Sequence, residues 1–552
     1  MEEELTKIKF ENKQLKEENK KLKKQLYDAN YKLNSTVNRL NGLTKKYNDY
    51  VKNENERIQL IVDKAVNEAV NKVSATLKKE YKEKEKELNK EITKLKKMLK
   101  TDSSNSSLPT SKNRINVSIT NSREKSDKKI GGQKGHKKHK LNYFKEEEID
   151  ETIEHTLESC TNCGGNLKET NVVISDIIDL KVKVVRTRNN IHNYVCENCH
   201  KRISANDTLP RAASYGPEVN TTAIVLMNES NVAINKVAKY ISGISDGQIN
   251  ASEGYLSKIQ KQTSKKLESF TEELKNKITT LDVVHWDDTT AKIQKTEVDK
   301  KNNKKTSEGI LRFYGNDNYA LLIGHENKKK EGIEADGILS KLSKNTICMH
   351  DHVLLNYNDN YKFKNAECNA HILRYLKAVK DNLHDHKWQD EMAELLKKAN
   401  EKRKEIIKEN AGIANIGFNS EYENEVYKKY DEIIQKACME NAKTEDYHFY
   451  KDEELKLIKR LEKFKENHLL FIKDFSVPFT NNTAERGIRK CKRKLAVSFL
   501  FKNIESLKDY ARIQSYLETC YRNGVSKYSA VKRLLLNNPY TLEELDNPEN
   551  KN

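Results

Sequence analysis

Long apolar segments are missing from this sequence. No run of about 18 apolar residues occurs, and the chain begins with Met1 and three glutamates, unlike a secretory signal peptide. These absences predict a soluble cytoplasmic protein that does not enter the membrane, with its nine cysteines reduced or metal-bound. Acidic residues are also in deficit, because 102 Lys and Arg outnumber 83 Asp and Glu for a net charge of +19. That surplus favours a polyanionic partner.

The first hundred residues carry a coiled-coil pattern. With Leu5 at position a, most a and d positions of the first fifty residues are apolar. Asn12 and Asn19 fall at a, where asparagine favours one register and a parallel dimer. The pattern breaks near Asn53 and then resumes less regularly. Residues 1–100 are therefore predicted to form an oligomerisation helix that gives a homodimer or a larger assembly. A single solvated helix is the alternative.

A linker and a basic arm follow at residues 101–150. The linker is rich in Ser and Asn, and residues 112–145 hold eleven Lys or Arg against two acids. Glycines in this arm let the backbone approach a phosphate, and lysines neutralise its charge. A disordered basic tether is the alternative. The DNA contacts predicted here are Lys134, His136, Lys137 and Lys138.

Two Cys-x-x-Cys pairs mark the next region, residues 151–208. Four thiolates paired in this way suit a tetrahedral, structural Zn²⁺ site. The residues between the pairs, such as 172–185, have a β-rich composition, so we expect a small β-rich zinc domain. Redox-active cysteines or an iron–sulfur cluster are the alternatives. The predicted zinc ligands are Cys160, Cys163, Cys196 and Cys199.

Residues 209–276 are predicted to be helical. Short amphipathic pieces broken at Gly243 and Gly247 are compatible with a DNA-binding helix-turn-helix. The same pattern is common in helical domains that bind no DNA.

Farther on, two buried-strand patterns each run into an acid. Residues 278–286 are β-branched and largely apolar and lead into Asp287 and Asp288, and residues 345–350 lead into Asp351. An acid just past the end of a strand lies at the edge where open α/β sheets place their sites.

The elements around these acids follow a recognisable order. The pattern predicts a hairpin of residues 309–313 and 319–323, a helix at 331–343 and a helical insertion at about 365–470. With Glu485 on a later helix, this is the order of an RNase H-like nuclease core. We therefore predict a multidomain α+β chain. Its RNase H-like α/β catalytic domain would span 277–505, and C-terminal helices would span 506–552.

Glu485 stands at the head of a strongly cationic run. It could make surface ion pairs, each worth at most about 1 kcal/mol. It could also be the one acid that faces a metal ion while its neighbours hold phosphates. The cationic residues predicted to contact DNA are Arg486, Arg489, Lys490 and Arg493.

Three separated carboxylates fit the chemistry of cutting or joining DNA. Two divalent ions about 3.5–4 Å apart can activate the attacking oxygen and stabilise the leaving oxygen. Mg²⁺, or Mn²⁺ in its place, takes carboxylate oxygens as ligands. We predict that Asp287 bridges both ions and that Asp351 and Glu485 each complete one site. Asp288 is the rival of Asp287.

Taken together, the motifs resemble the transposases of insertion sequence family 66. The matching segments are the coiled coil, the linker, Gly131 to His136, the cysteine pairs, Asp287-Asp288-Thr289, Asp351 with Tyr357, Cys368 to Arg374, and Asn481, Asn482, Glu485 and Arg486. Asp288, Asn369 and Lys502-Asn503 depart from the family pattern, although none of these departures removes a predicted metal ligand.

This resemblance implies a bacterial, nucleoid-associated, metal-dependent recombinase of the DDE type. Such an enzyme cuts the ends of its element and joins them to target DNA, often with companion proteins from the same element. The resemblance also implies supporting roles beside the metal ligands for His371 and Asn482. Two other classes stay open: an inactive descendant that only binds DNA, and a nuclease with the same core but no joining step.

Overall fold

The structure is a computed structural model that describes residues 2–51, 56–100, 142–294, 307–326, 328–413, 416–446 and 448–547. The predicted arm contacts Lys134, His136, Lys137 and Lys138 lie outside the described residues. The described chain is mostly helical and has a two-stranded and a five-stranded sheet, which confirms a mixed α+β class. No helix in these ranges is long and apolar enough to cross a membrane.

The chain divides into two compact units. One contains residues 1–122, 267–525 and 541–552, and the other contains residues 123–266 and 526–540.

Two long helices begin the first unit. Helix α1 spans Glu2–Val51 and α2 spans Glu56–Lys100, on either side of the predicted break at Asn53, which lies outside the described residues. The two helices pack against each other within the chain. Ile8 in α1 and Leu95 in α2 are each only 6% exposed, and the predicted a and d side chains from residue 5 to residue 33 are all at least partly buried. The apolar seam of α1 therefore has a partner in the same chain.

The second unit combines a small hairpin with helices. Strands β1 (Asn193–Val195) and β2 (Arg202–Ser204) pair antiparallel. Helices α3 (Pro217–Asn228), α4 (Ile234–Ile244) and α5 (Glu253–Lys265) follow, as the sequence predicts. Residues 172–185, expected to be β-rich, contain no strand, and most of their apolar side chains are exposed.

The five-stranded sheet forms the centre of the first unit. Its strands are β3 (Val283–Ile293), β4 (Ser307–Gly315), β5 (Ala320–His325), β6 (Ile347–His350) and β7 (Lys364–Glu367). Their order is β5-β4-β3-β6-β7. Strand β4 pairs antiparallel with β3 and with β5. Strand β6 pairs parallel with β3 and with β7.

The predicted hairpin is confirmed by β4 and β5. The Asn316 side chain accepts hydrogen bonds from the N–H groups of Asn318 and Tyr319, which closes the turn. A Cβ atom on Gly315 would lie 2.1 Å from the Tyr319 carbonyl oxygen, so this position requires glycine.

Helices cover the sheet. They are α6 (Glu268–Ile278), α7 (Lys330–Asp336), α8 (Asn369–Asn382), α9 (Trp388–Glu409), α10 (Ser420–Lys443), α11 (Lys451–Lys463), α12 (Lys465–His468), α13 (Leu470–Lys473), α14 (Asn482–Ser498), α15 (Ile504–Arg522) and α17 (Leu542–Asp546), with α16 (Lys527–Leu535) in the second unit. One apolar cluster joins β6 and β7 to α8 and the insertion helices, and another joins β3, β4 and β5 to α14 and α15.

Two predicted boundaries are wrong, each for a local reason, and one strand was not predicted. Residues 278–282 are not strand, because the hydroxyls of Thr279 and Thr280 bond back to carbonyls of α6 and end that helix. The helix expected at 331–343 ends at Gly337, which adopts a left-handed φ of 70°. Strand β7, inside the predicted insertion, is held by parallel pairing to β6.

Candidate active site

Asp287 and Asp351 lie close to each other beside one cavity, Asp287 within β3 and Asp351 just after the end of β6. The last register pair of β3 and β6 is His285 with Met349, and Asp287 and Asp351 each follow two residues after it. Asp287 is not past the end of its strand, as expected, but within β3, just beyond the part that pairs with β6. Burial and the neighbouring Asp351 carboxylate raise the pKa of Asp287 well above its usual range.

The two adjacent aspartates face opposite sides of the sheet. Asp287 pairs across the ladder with Phe313, which packs in the cluster with α14, whereas Asp288 pairs with Arg312. The carboxylate of Asp288 lies 3.0 Å from the Lys328 ammonium. The strand pleat therefore directs Asp287, rather than Asp288, toward the helix that carries Glu485.

A cavity of about 220 Å³ opens beside these acids. Asp287, Asp288 and Asp351 line it together with the consecutive lysines 328–330. A lining that combines carboxylates with ammonium groups suits a ligand that is itself anionic and arrives with cations.

Helix α14 brings Glu485 to the same face of the sheet. A Cβ atom on Gly487 would lie 2.3 Å from the Phe313 ring, so glycine lets α14 approach the sheet closely. Asn481, just before the helix, donates from its side-chain amide to the Trp286 carbonyl at 2.9 Å and contacts His285 Nδ1 at 2.9 Å. These contacts fix the start of α14 against β3.

A chain of polar contacts runs from Asp351 to Glu485. His371 Nδ1 lies 3.0 Å from Asp351 Oδ1, Arg374 contacts His371 Nε2 at 2.9 Å, and Arg374 lies 3.6 Å from Glu485 Oε1. Burial lowers the pKa of His371, but the interactions with Asp351 and Cys368 together outweigh burial and raise this pKa to about 11. However, arginine can only donate, so the Arg374 contact requires an unprotonated Nε2. We therefore place a single proton on Nδ1, facing Asp351.

The three predicted carboxylates do not form one tight cluster. Among the described residues, the group of three or more ligand atoms within 4.8 Å of one another consists of Asp351, Cys368 and His371. Glu485 instead has Arg374 at 3.6 Å and Arg489 at 3.7 Å.

The donor set nevertheless fits a hard divalent cation. Oε1 of Glu485 is a buried oxygen without a hydrogen bond, and Oδ1 of Asp351 is buried 3.0 Å from His371 Nδ1. Asp287 is half-buried, and desolvation together with the Asp351 charge raises its pKa, so its charged form is disfavoured. A cation among these oxygens would satisfy them, and carboxylate oxygens are the ligands that Mg²⁺ and Mn²⁺ prefer.

The predicted DNA-contacting residues of α14 separate into two groups. Arg486, Arg489 and Arg493 are exposed. Lys490 points inward and pairs with Glu518 of α15 at 2.5 Å, so it is not placed to contact DNA.

The supporting asparagine also differs from the expectation. Asn482 is exposed at the start of α14, whereas Asn481 is fully buried and makes the interior contacts. The backbone N–H of Asn481 also contacts the Cys368 sulfur at 3.1 Å. Sequence reasoning missed Arg374 and Asn481 as site residues, although both lie in the motifs Cys368 to Arg374 and Asn481 to Arg486.

The four predicted zinc ligands form two similar turns. The Cys160 N–H donates to the Gly165 carbonyl at 2.9 Å, and the Cys196 N–H donates to the Lys201 carbonyl at 2.9 Å. Backbone N–H groups lower the pKa of Cys160 and of Cys196, which favours thiolates. All four cysteines are described, but their sulfur atoms do not form a group within 4.8 Å.

Comparison with known proteins identifies a relationship for the sheet and its helices. A family model described as "Transposase IS66 family" matches residues 213–508, more than half of the chain. The match includes Asp287, Asp351 and Glu485 and ends within α15. No curated protein and no solved structure matches the chain.

Proposed function

The chain belongs to the IS66 family of transposases, and from that premise we propose that it cuts DNA at the ends of an insertion sequence and joins those ends to target DNA. Asp287, Asp351 and Glu485 would hold the catalytic divalent ions. The strand order β5-β4-β3-β6-β7, with β3 parallel to β6, supports an RNase H-like core for this reaction.

One observation carries the proposal. Asp287 and Asp351 each follow two residues after the last β3–β6 register pair, and the side of β3 that carries Asp287 is the face covered by the helix of Glu485. Carboxylates on neighbouring strands repel each other, and here that repulsion contributes to the raised pKa of Asp287. Such an arrangement costs stability unless a cation neutralises it, so it indicates a binding site rather than a structural device.

The side chains around the acids have separate tasks. Bound Mg²⁺ or Mn²⁺ would supply Lewis acidity at the scissile phosphate. His371 orients Asp351 through Nδ1, and Arg374 holds both His371 and Glu485. Lysines 328–330 line the same cavity and would attract a phosphate.

Other parts of the chain would bind DNA and assemble the complex. Exposed Arg486, Arg489 and Arg493 would contact phosphates next to the site. The arm of residues 101–150 and the helices of 209–276 would extend this contact, and the cysteine turns would fold around a structural Zn²⁺. The coiled-coil region of residues 1–100 would bring two chains together, although α1 already packs its seam against α2 of the same chain, and companion proteins of the element would act with them.

The deciding experiment supplies DNA carrying the terminal repeats that flank this reading frame. Wild-type protein with Mg²⁺ should nick or cut at the repeat ends and then join those ends to a second DNA. Cutting without joining would indicate a nuclease, and binding without cutting would indicate an inactive descendant. Either result would reject the proposed function.

A further inference from the structure

A buried carboxylate outside the predicted ligand set lies next to the site. Glu367 is the last residue of β7 and is only 1% exposed. It pairs in register with His350, the residue before Asp351. A buried glutamate is costly unless its charge is matched, so its partners indicate what it does.

Each oxygen of Glu367 serves a different part of the molecule. Oε1 accepts from His352 Nδ1 at 2.6 Å and from the hydroxyl of Tyr357. Both residues belong to the segment that begins with Asp351. Oε2 accepts from Arg460 at 2.7 Å and from His468 Nε2 at 2.9 Å. Those two lie on insertion helices α11 and α12.

Apolar contacts reinforce the same connection. The Phe464 ring, between α11 and α12, packs on the Tyr357 ring with centroids 4.4 Å apart and on the His352 ring at 4.9 Å. Burial disfavours the charge of Glu367, but bonds from His352 and His468 and the charge of Arg460 hold its pKa well below the usual range. These partners therefore favour the charged form of Glu367.

We propose that Glu367 is a positioning residue: it fixes the segment that carries Asp351 and ties that segment to the helical insertion. This inference rests on the proposed function, in which Asp351 holds a divalent ion. It assigns the insertion a task, because Arg460 and His468 brace the carboxylate that holds His352, the neighbour of Asp351.

A second buried glutamate provides a matched control. Glu454 is fully buried and accepts from His386 Nδ1 at 2.6 Å, Trp388 Nε1 at 2.7 Å and Asn441 at 2.7 Å. None of these partners belongs to the segment after β6. Glu454→Gln should therefore lower stability without reaching Asp351.

The test measures single-turnover end cleavage as a function of Mg²⁺ concentration. Glu367→Gln should raise the half-saturating Mg²⁺ concentration by about 10- to 100-fold, as loss of groups that orient metal ligands does. Its rate at saturating Mg²⁺ should approach the wild-type rate. Tyr357→Phe, which removes one donor, should shift the concentration in the same direction by less. Glu454→Gln should keep the wild-type value.

The possible outcomes distinguish a failure of the positioning role from a failure of the proposed function. An unchanged Mg²⁺ requirement for Glu367→Gln, with only a lower melting temperature, would overturn the positioning role. If Glu367→Gln does not fold, an unchanged requirement for Tyr357→Phe overturns it equally. Absence of metal-dependent cleavage by wild-type protein would instead refute the proposed function, and the inference with it.

Discussion

Neighbouring residues of one type can have unrelated roles in this molecule. Asp287 and Asp288 alternate across the pleat of β3, and Asn481 and Asn482 straddle the start of α14. For each of these two site positions, the sequence limits the candidates to the two residues of one pair. It cannot select a member, because the choice depends on which sheet face α14 covers. That packing is long-range and leaves no local signal.

The aspartate pair gives a prediction at this scale. Asp287→Asn should abolish metal-dependent end cleavage while leaving DNA affinity largely intact, because a neutral amide cannot replace a bridging carboxylate. Asp351→Asn and Glu485→Gln should behave in the same way. Asp288→Asn, on the opposite face beside Lys328, should retain most activity. Cleavage rates and filter binding on the same DNA measure both properties. An inactive Asp288→Asn variant together with an active Asp287→Asn variant would reverse the assignment.

At the scale of elements, local chemistry decides what the sequence can predict. The β4–β5 hairpin is confirmed because its turn is encoded by Gly315 and Asn316. Strand β7 was missed because its four residues, Lys-Asn-Ala-Glu, have no strand pattern of their own. Four cationic residues of helix α14 were predicted to contact DNA, yet one of them, Lys490, points inward to Glu518.

The two faces of α14 should differ in DNA binding. Arg493→Ala should weaken binding and lower the slope of log affinity against log salt by about 0.9 for each lost phosphate contact. Lys490→Met should leave that slope unchanged, because Lys490 already pairs with Glu518. Fluorescence anisotropy over a range of salt concentrations provides the comparison. An equal loss of slope in both variants would show that Lys490 also reaches DNA.

Lys494, on the same helix, should make the free energy of unfolding depend on pH. Burial lowers its pKa to about 8, near the Tyr510 ring. Below pH 8 the lysine is charged in both folded and unfolded chains, so its burial penalty is fully present. As pH rises from 8 toward the ordinary lysine pKa, the folded lysine loses its proton first and stability increases.

Lys494→Met should remove this penalty. We expect a gain of up to about 3 kcal/mol in unfolding free energy at pH 7, from about 1.4 kcal/mol per pKa unit. The gain should shrink between pH 8 and pH 10. Urea unfolding of both proteins at several pH values measures it, and a gain that does not vary with pH would exclude this cause.

At the scale of the whole molecule, the sequence predicts the mixed α+β class and most helices but not the division into units. Residues 526–540 leave the C-terminal helices and join the unit that contains the cysteine turns. Lys527 of α16 pairs with Glu229 at 2.7 Å, close to 300 residues away in sequence. Such a return depends on tertiary packing and has no signature in local periodicity.

Zinc should stabilise the cysteine-containing unit. Cys196→Ser or a zinc chelator should unfold this region and weaken DNA binding, because structural zinc contributes about 10–16 kcal/mol of binding free energy to folding. Cys438→Ser, at an exposed cysteine outside the pairs, is the matched control. Metal content by mass spectrometry and thermal melting report the effect. A chain without zinc, or melting unchanged by chelation, would contradict the prediction.

The most direct measurement of the metal site is anomalous diffraction from crystals of the protein grown with Mn²⁺. The account predicts anomalous peaks in contact with the carboxylates of Asp287 and Asp351, with Glu485 turned from Arg374 to the metal. Anomalous peaks at other residues, with no Mn²⁺ bound to these three carboxylates, would contradict the account.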